Sequence, residues 1–184
     1  MRDSIWRVRP FAPGAEDPCA IIRAAYVLGY FGEDIGIALA LADRALEMNP
    51  SFAVGWYYSA YLRLWAGLSD LAIEHLATAV RLSPHDMAAR ALFATGLAYF
   101  MAGRFDEARA KLLSSLQEFP GWAPNYRFLA ACCVQMGRMG EARELVRRLR
   151  DITPVVLPDA SHWRNPEQRE LYLSGLRLAM GEEA

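Results

Sequence analysis

From about residue 18 onward apolar side chains recur at intervals of three and four, which puts them on one face of successive helices. Ile21, Ala25 and Leu28 share such a face at the start. Ala53 to Gly67 reads as one helix, Ser69 and Asp70 open a second, and Pro84 closes it. Leu92, Gly96 and Tyr99 mark the next helix, with Gly103 at its turn, and Ala108 and Leu112 follow before Pro120. Tyr126, Leu129 and Ala130 precede Gly137, after which Ala142 and Val146 lead to Pro154. Small residues such as Ala60, Ala72 and Ala79 stand where two helix backbones approach.

This pattern has a fixed beat. Pro50, Pro84, Pro120 and Pro154 are separated by 34, 36 and 34 residues, and Ala38, Ala72, Ala108 and Ala142 keep the same separations, each 12 residues before a proline. A period near 34 closed by a helix breaker predicts stacked helical hairpins. Gly67, Gly103 and Gly137 stand five residues before their alanines, where a left-handed helix end is needed. In the first unit Gly32 lies six residues before Ala38, so the turn through Glu33 and Asp34 is one residue longer. Two extra residues near His85, Asp86 and Met87 read as an insertion in a turn, which costs little.

The ends differ. Residues 1–17, with Pro10, Pro13 and Gly14, show no helical period and read as an extended lead-in. Residues 18–154 hold four repeats, and 155–184 a loop and a last helix. Asn165-Pro166-Glu167-Gln168 starts that helix with a capping side chain, proline at the first helical place, and a glutamine able to reach back. Tyr172, Leu176 and Met180 then recur every four residues, as expected of a lid on an open-ended stack.

At these residues the chain resembles the tetratricopeptide repeat family. Leu92, Gly96 and Tyr99 match its first helix, as do Trp56 with Ala60 and Tyr126 with Ala130. Ala72, Leu76 and Ala79 match the second. Arg63 and Cys133 depart from it, standing where an aromatic is preferred, and Ser115 and Leu149 replace a small alanine. The resemblance implies an all-α fold: a right-handed superhelical solenoid of about four hairpins with a C-terminal capping helix. It also implies a non-catalytic module that binds proteins or peptides. More narrowly, Leu28 through Asp34, Trp56 to Glu74, and Arg164 through Arg177 resemble the C-terminal repeat region of bacterial multidomain adenylate/guanylate cyclase-type proteins. Related repeat regions follow winged-helix DNA-binding domains. That likeness implies the regulatory end of a longer signalling protein, with an attached catalytic domain as one partner; the cyclase's metal-binding aspartates transfer to no residue here.

Charge alters the picture by exclusion. Lys+Arg number 20 and Asp+Glu 21, a balance with no drive toward nucleic acid or an anionic membrane. Arg143, Arg147, Arg148 and Arg150 form the one basic cluster, but Glu141 and Glu144 are interspersed, as on a solvated face. A helical-repeat RNA reader has a similar period yet needs basic residues in every repeat. Met1 to Pro10 carries Arg2, Asp3, Arg7 and Arg9 and is no signal peptide. Phe52 to Leu68 holds Arg63 and reads as a packed helix, not a membrane span. A cytoplasmic protein is expected.

Candidate chemistry is sparse. His75, His85 and His162 are dispersed, and Cys19, Cys132 and Cys133 have no metal-ligand spacing. Glu33-Asp34 and Asp106-Glu107 sit at turns, where acids favour helix starts. There is no Gly-rich phosphate loop or serine elbow. Neither cofactor, metal site nor enzymatic activity is therefore expected.

The groove is the better candidate. In a stack of this family the first helix of each repeat lines the concave side, through Tyr26 and Tyr30, then Tyr57, Tyr61 and Trp65, then Arg90, Phe93 and Phe100, and finally Arg127. Rings with a few guanidinium groups suit an extended peptide or an acidic helix. The alternative is that these rings pack on the chain's own lead-in or on a second copy. The lysine/asparagine clamp of the family's chaperone-tail binders is absent. On the groove reading, Tyr61→Ala with Trp65→Ala removes partner capture and leaves the helices intact.

Overall fold

The computed structural model describes residues 17–32 and 34–182; the expected lead-in lies outside them save for Asp17. The described residues form helices without strands: α1 (Pro18–Phe31), α2 (Ile35–Met48), α3 (Ala53–Trp65), α4 (Ser69–Leu82), α5 (Pro84–Met101), α6 (Phe105–Glu118), α7 (Ala123–Gln135), α8 (Met139–Ile152) and α9 (Pro166–Met180). Consecutive pairs from α1/α2 to α7/α8 make hairpins, and the second helix of each packs on the first helix of the next. This is the expected all-α solenoid.

The proline beat acts at every junction. α2, α4, α6 and α8 each end two residues before their proline. A second device repeats with it. Trp56 and Tyr126 stand six residues beyond Pro50 and Pro120, and each donates a hydrogen bond to that proline's carbonyl, at 2.9 and 2.8 Å. The ring that opens one repeat thereby fastens the turn that closed the last.

Gly67, Gly103 and Gly137 have φ of 86, 74 and 71°, the left-handed turn their spacing required. Gly32 does not; its backbone is extended, and α2 starts instead from Asp34, whose carboxylate accepts from the Gly36 N–H at 2.8 Å. The expected insertion near His85 is absent as a loop. Pro84 opens α5, where its missing N–H costs nothing, and the extra residues lengthen that helix to 18.

Between helices, small residues set the spacing. Ala60, Ala72, Ala79 and Ala108 are wholly buried. At Gly96 the approach is closest to its limit: a Cβ there would meet Leu112 Cγ at 2.8 Å and the Leu112 backbone nitrogen at 3.1 Å.

α9 covers an apolar face, as expected, but that face belongs mainly to α7, with a smaller contact on α8. Tyr172 stacks on Phe128 with ring centres 4.0 Å apart. Asn165 caps α9 through the Glu167 and Gln168 N–H groups. Gln168 does not reach back; its amide donates to Ser69 Oγ and to the Met101 carbonyl, both at 3.1 Å. The start of α9 is thus tied to the turns of repeats two and three.

Gly96→Ala should separate α5 from α6 and destabilise the chain by about 1–3 kcal/mol. Urea unfolding followed by circular dichroism measures this, and an unchanged midpoint would count against the close approach.

Candidate protein-interaction groove

The first helices α1, α3, α5 and α7 line one side of the stack, where rings at four-residue spacing meet. Tyr26 lies 4.8 Å from Trp65 and Tyr30 lies 5.4 Å from it, centre to centre. The Tyr57 hydroxyl donates to that of Tyr61 at 3.4 Å. Burial pushes the Tyr26 phenol up to about 12 and the Tyr61 phenol well above its usual value, so this wall stays uncharged.

Much of the wall is already covered, and by the C-terminal side of the chain. Residues 155–165 run as a strap across the groove from α8 back to α1. Arg127 donates to the Val156 and Val155 carbonyls at 3.0 and 2.5 Å. His162 stacks on Tyr30 at 4.6 Å and meets Trp65 edge-on at 5.6 Å. Trp163 is buried, the Arg164 N–H donates to the Trp65 carbonyl at 2.8 Å, and its guanidinium reaches the carbonyls of Gly29 and Gly32. A strap with this many buried anchors is part of the fold.

Six of the expected groove residues, Tyr26, Tyr30, Tyr61, Trp65, Phe93 and Arg127, line one cavity of about 260 Å³ together with Asp159 and His162 of the strap. Phe100 is 0% exposed and packs between Phe105 and Phe128. Trp65 is 3% exposed, sandwiched by α1 and the strap, so replacing it disturbs the fold and cannot serve as a clean test of binding. Arg127 spends its donors on the strap. Tyr30 meets the strap through His162 yet stays 40% exposed, and Tyr26 and Tyr61 are half-buried.

A larger cleft of about 510 Å³ opens beside the strap, lined by Tyr57, Arg90 and Phe93 together with Phe119, Gly121 and Trp122. Phe93 is held against Trp122, ring centres 4.4 Å apart. Trp122 and Phe119 are each 41% exposed, and Arg90 is exposed without a carboxylate partner among the described residues. Phe119 and Trp122 were missed because they stand in the α6–α7 turn, outside the helical period. Two large rings flanking Pro120-Gly121, with no place in the period, were the available signal.

On the other side of the stack Arg63 is buried in α3. Its guanidinium donates to Ser59 Oγ and pairs with Asp43 at 2.6 Å, which joins α3 to α2. This pair accounts for a guanidinium where the repeat pattern prefers a ring. His75 lies alongside. Burial first, and Arg63 second, lower its imidazole to about 4. Burial likewise lowers His162 to about 4, with Asp159 opposing and Arg164 assisting. Burial raises the Cys132 thiol to about 12, leaving a protonated, unreactive sulfur. The basic cluster is engaged: Glu144 pairs with Arg147 at 2.6 Å and Arg148 at 3.0 Å. Among the described residues no three His, Cys, Asp or Glu gather as for a metal, and no helix is long and apolar enough to cross a membrane.

Models of the tetratricopeptide repeat match residues 23–86, 60–121 and 99–162. Among solved structures, MamA 41-end from Desulfovibrio magneticus RS-1 is 21% identical, with a TM-score of 0.63 over 74% of this chain and 75% of that one. TTC0263, a thermophilic TPR protein of Thermus thermophilus, is 20% identical, with a TM-score of 0.65 over 89% and 83%. At such identities the likeness speaks to fold. No curated protein matches the chain.

Trp163→Ala should cost about 3–5 kcal/mol by emptying the strap's anchor site; thermal unfolding reads the loss, and an unshifted transition would show the strap to be loose. His75 and His162 also set a pH dependence. The unfolded chain binds protons from near 6.5, whereas the folded chain resists them until about 4. Their stabilisation is thus complete above 6.5 and falls as pH drops toward 4. His162→Phe should flatten that fall in a pH series of unfolding midpoints.

Proposed function

We propose that this chain, which belongs to the tetratricopeptide repeat family, is a non-catalytic module that binds a protein partner through the cleft of Tyr57, Arg90, Phe93, Phe119 and Trp122. One observation carries this reading: Trp122 and Phe119 stand exposed around the Arg90 guanidinium, which has no carboxylate partner among the described residues. Large rings at the centre of a contact supply affinity as water leaves them, and Arg90 orients an acidic group. A short peptide segment with an aromatic or aliphatic anchor next to a carboxylate fits both features. Pairing of Arg147 and Arg148 with Glu144, two of the four arginines in the basic cluster, weighs against an RNA reader.

We read the parent context as the regulatory end of a larger signalling protein of the adenylate/guanylate cyclase type. Two of the runs that resemble that group meet in space, since Arg164 binds the carbonyls of Gly29 and Gly32. They thus make one structural feature. An upstream reading frame encoding a cyclase domain supports this context, whereas a winged-helix domain redirects it to transcription.

A displayed library of random peptides, panned on the full chain, should enrich acidic sequences with an apolar anchor. Trp122→Ala should weaken the selected peptides about tenfold or more, and Arg90→Glu should weaken them while leaving the fold intact. Peptides that bind both variants as tightly as the parent would remove the cleft from consideration.

A further inference from the structure

α1 carries an apolar stripe that the stack does not use. Leu28 and Phe31 on α1 correspond, one repeat on, to Leu62 and Trp65 of α3, and after the two-residue lengthening to Ala98 and Met101 of α5. In α3 these positions face the preceding hairpin. Leu62 lies against Gly29 of α1, and Trp65 against Tyr26. All four are buried. On α1, by contrast, Leu28 is 44% exposed, Phe31 80%, and Val27 beside them 54%. The stripe is shaped to receive a helix.

We propose that its occupant is a second copy of this chain, with α1 packed on α1 about a two-fold axis near Val27 and Leu28. Charge favours that arrangement. Arg23 flanks the stripe one turn before Val27 and has no carboxylate partner among the described residues. Asp34 stands beyond Phe31 at the other end, as the exposed cap of α2. Antiparallel pairing about this axis sets each Arg23 toward the Asp34 of the other copy.

The far end of the stack argues against head-to-tail growth. Leu46, Val80 and Leu116 hold one repeat position on α2, α4 and α6, on the side that meets the next hairpin. On α8 that position is Arg150, which is exposed. At that position the last hairpin offers the α1 stripe a charge and not an apolar side chain, which favours a closed, self-complementary pair over head-to-tail growth. This surface is separate from the cleft, so either proposal can fail alone.

Light scattering behind size exclusion, on the full chain at tens of micromolar, should give twice the 20.6 kDa chain mass. Phe31→Asp should return the single-chain mass with an unchanged far-ultraviolet spectrum. Asp34→Asn keeps the helix cap but removes the charge, and should raise the dimer dissociation constant ~2–5-fold. Leu28→Cys in a Cys19→Ser background should form a disulfide-linked dimer on mild oxidation. A single-chain mass for the parent up to a few hundred micromolar would overturn the proposal. So would a dimer that Phe31→Asp leaves intact. A monomer that Phe31→Asp destabilises would assign the stripe to the chain's own residues instead.

Discussion

A helical hairpin has one oily side and cannot cover it alone, so each repeat of this chain is folded only against its neighbour. Everything else follows from how closely two hairpins approach. Ala60, Ala72 and Gly96 leave room for the facing helix, and Leu112 fills what Gly96 vacates. Hydrogen bonds from Trp56 and Tyr126 to the proline carbonyls fix the angle at which a new repeat leaves the old one.

The same constraint makes the ends and the groove problematic, because stacking stops or leaves rings uncovered there. The C-terminal half meets the difficulty with the strap and α9, which bury Trp163 and Tyr172 on the first helices. The strap buries Val156, Ala160 and Trp163, and several of its carbonyls find donors. Arg127 donates to the Val155 and Val156 carbonyls and Arg164 to the Ser161 carbonyl, so the crossing segment needs no secondary structure of its own. At the N-terminal end no described element plays that part.

Function is then a matter of what remains uncovered. Part of the aromatic wall that looks like a binding surface in one dimension, Trp65 above all, is covered by the strap. The open portion shifts toward the α6–α7 turn, where Phe119 and Trp122 project beside Arg90. A protein-interaction module uses the surfaces its own folding does not consume, and the cleft and the α1 stripe are the two proposed here.

By itself the sequence determined the repeat architecture, since period, prolines and turn glycines are local requirements of each hairpin. The left-handed turns at Gly67, Gly103 and Gly137, the cap at Asn165 and the packing of Gly96 and Tyr99 were all legible for that reason. Long-range pairings were not. That Arg127 holds Val155 and Val156, that Arg63 finds Asp43, or that Arg164 reaches Gly29 across 135 residues depends on how the hairpins curve together. Only the tertiary structure decided which rings face water, because a ring at the right helical spacing looks the same whether its cover is a partner or the chain's own tail.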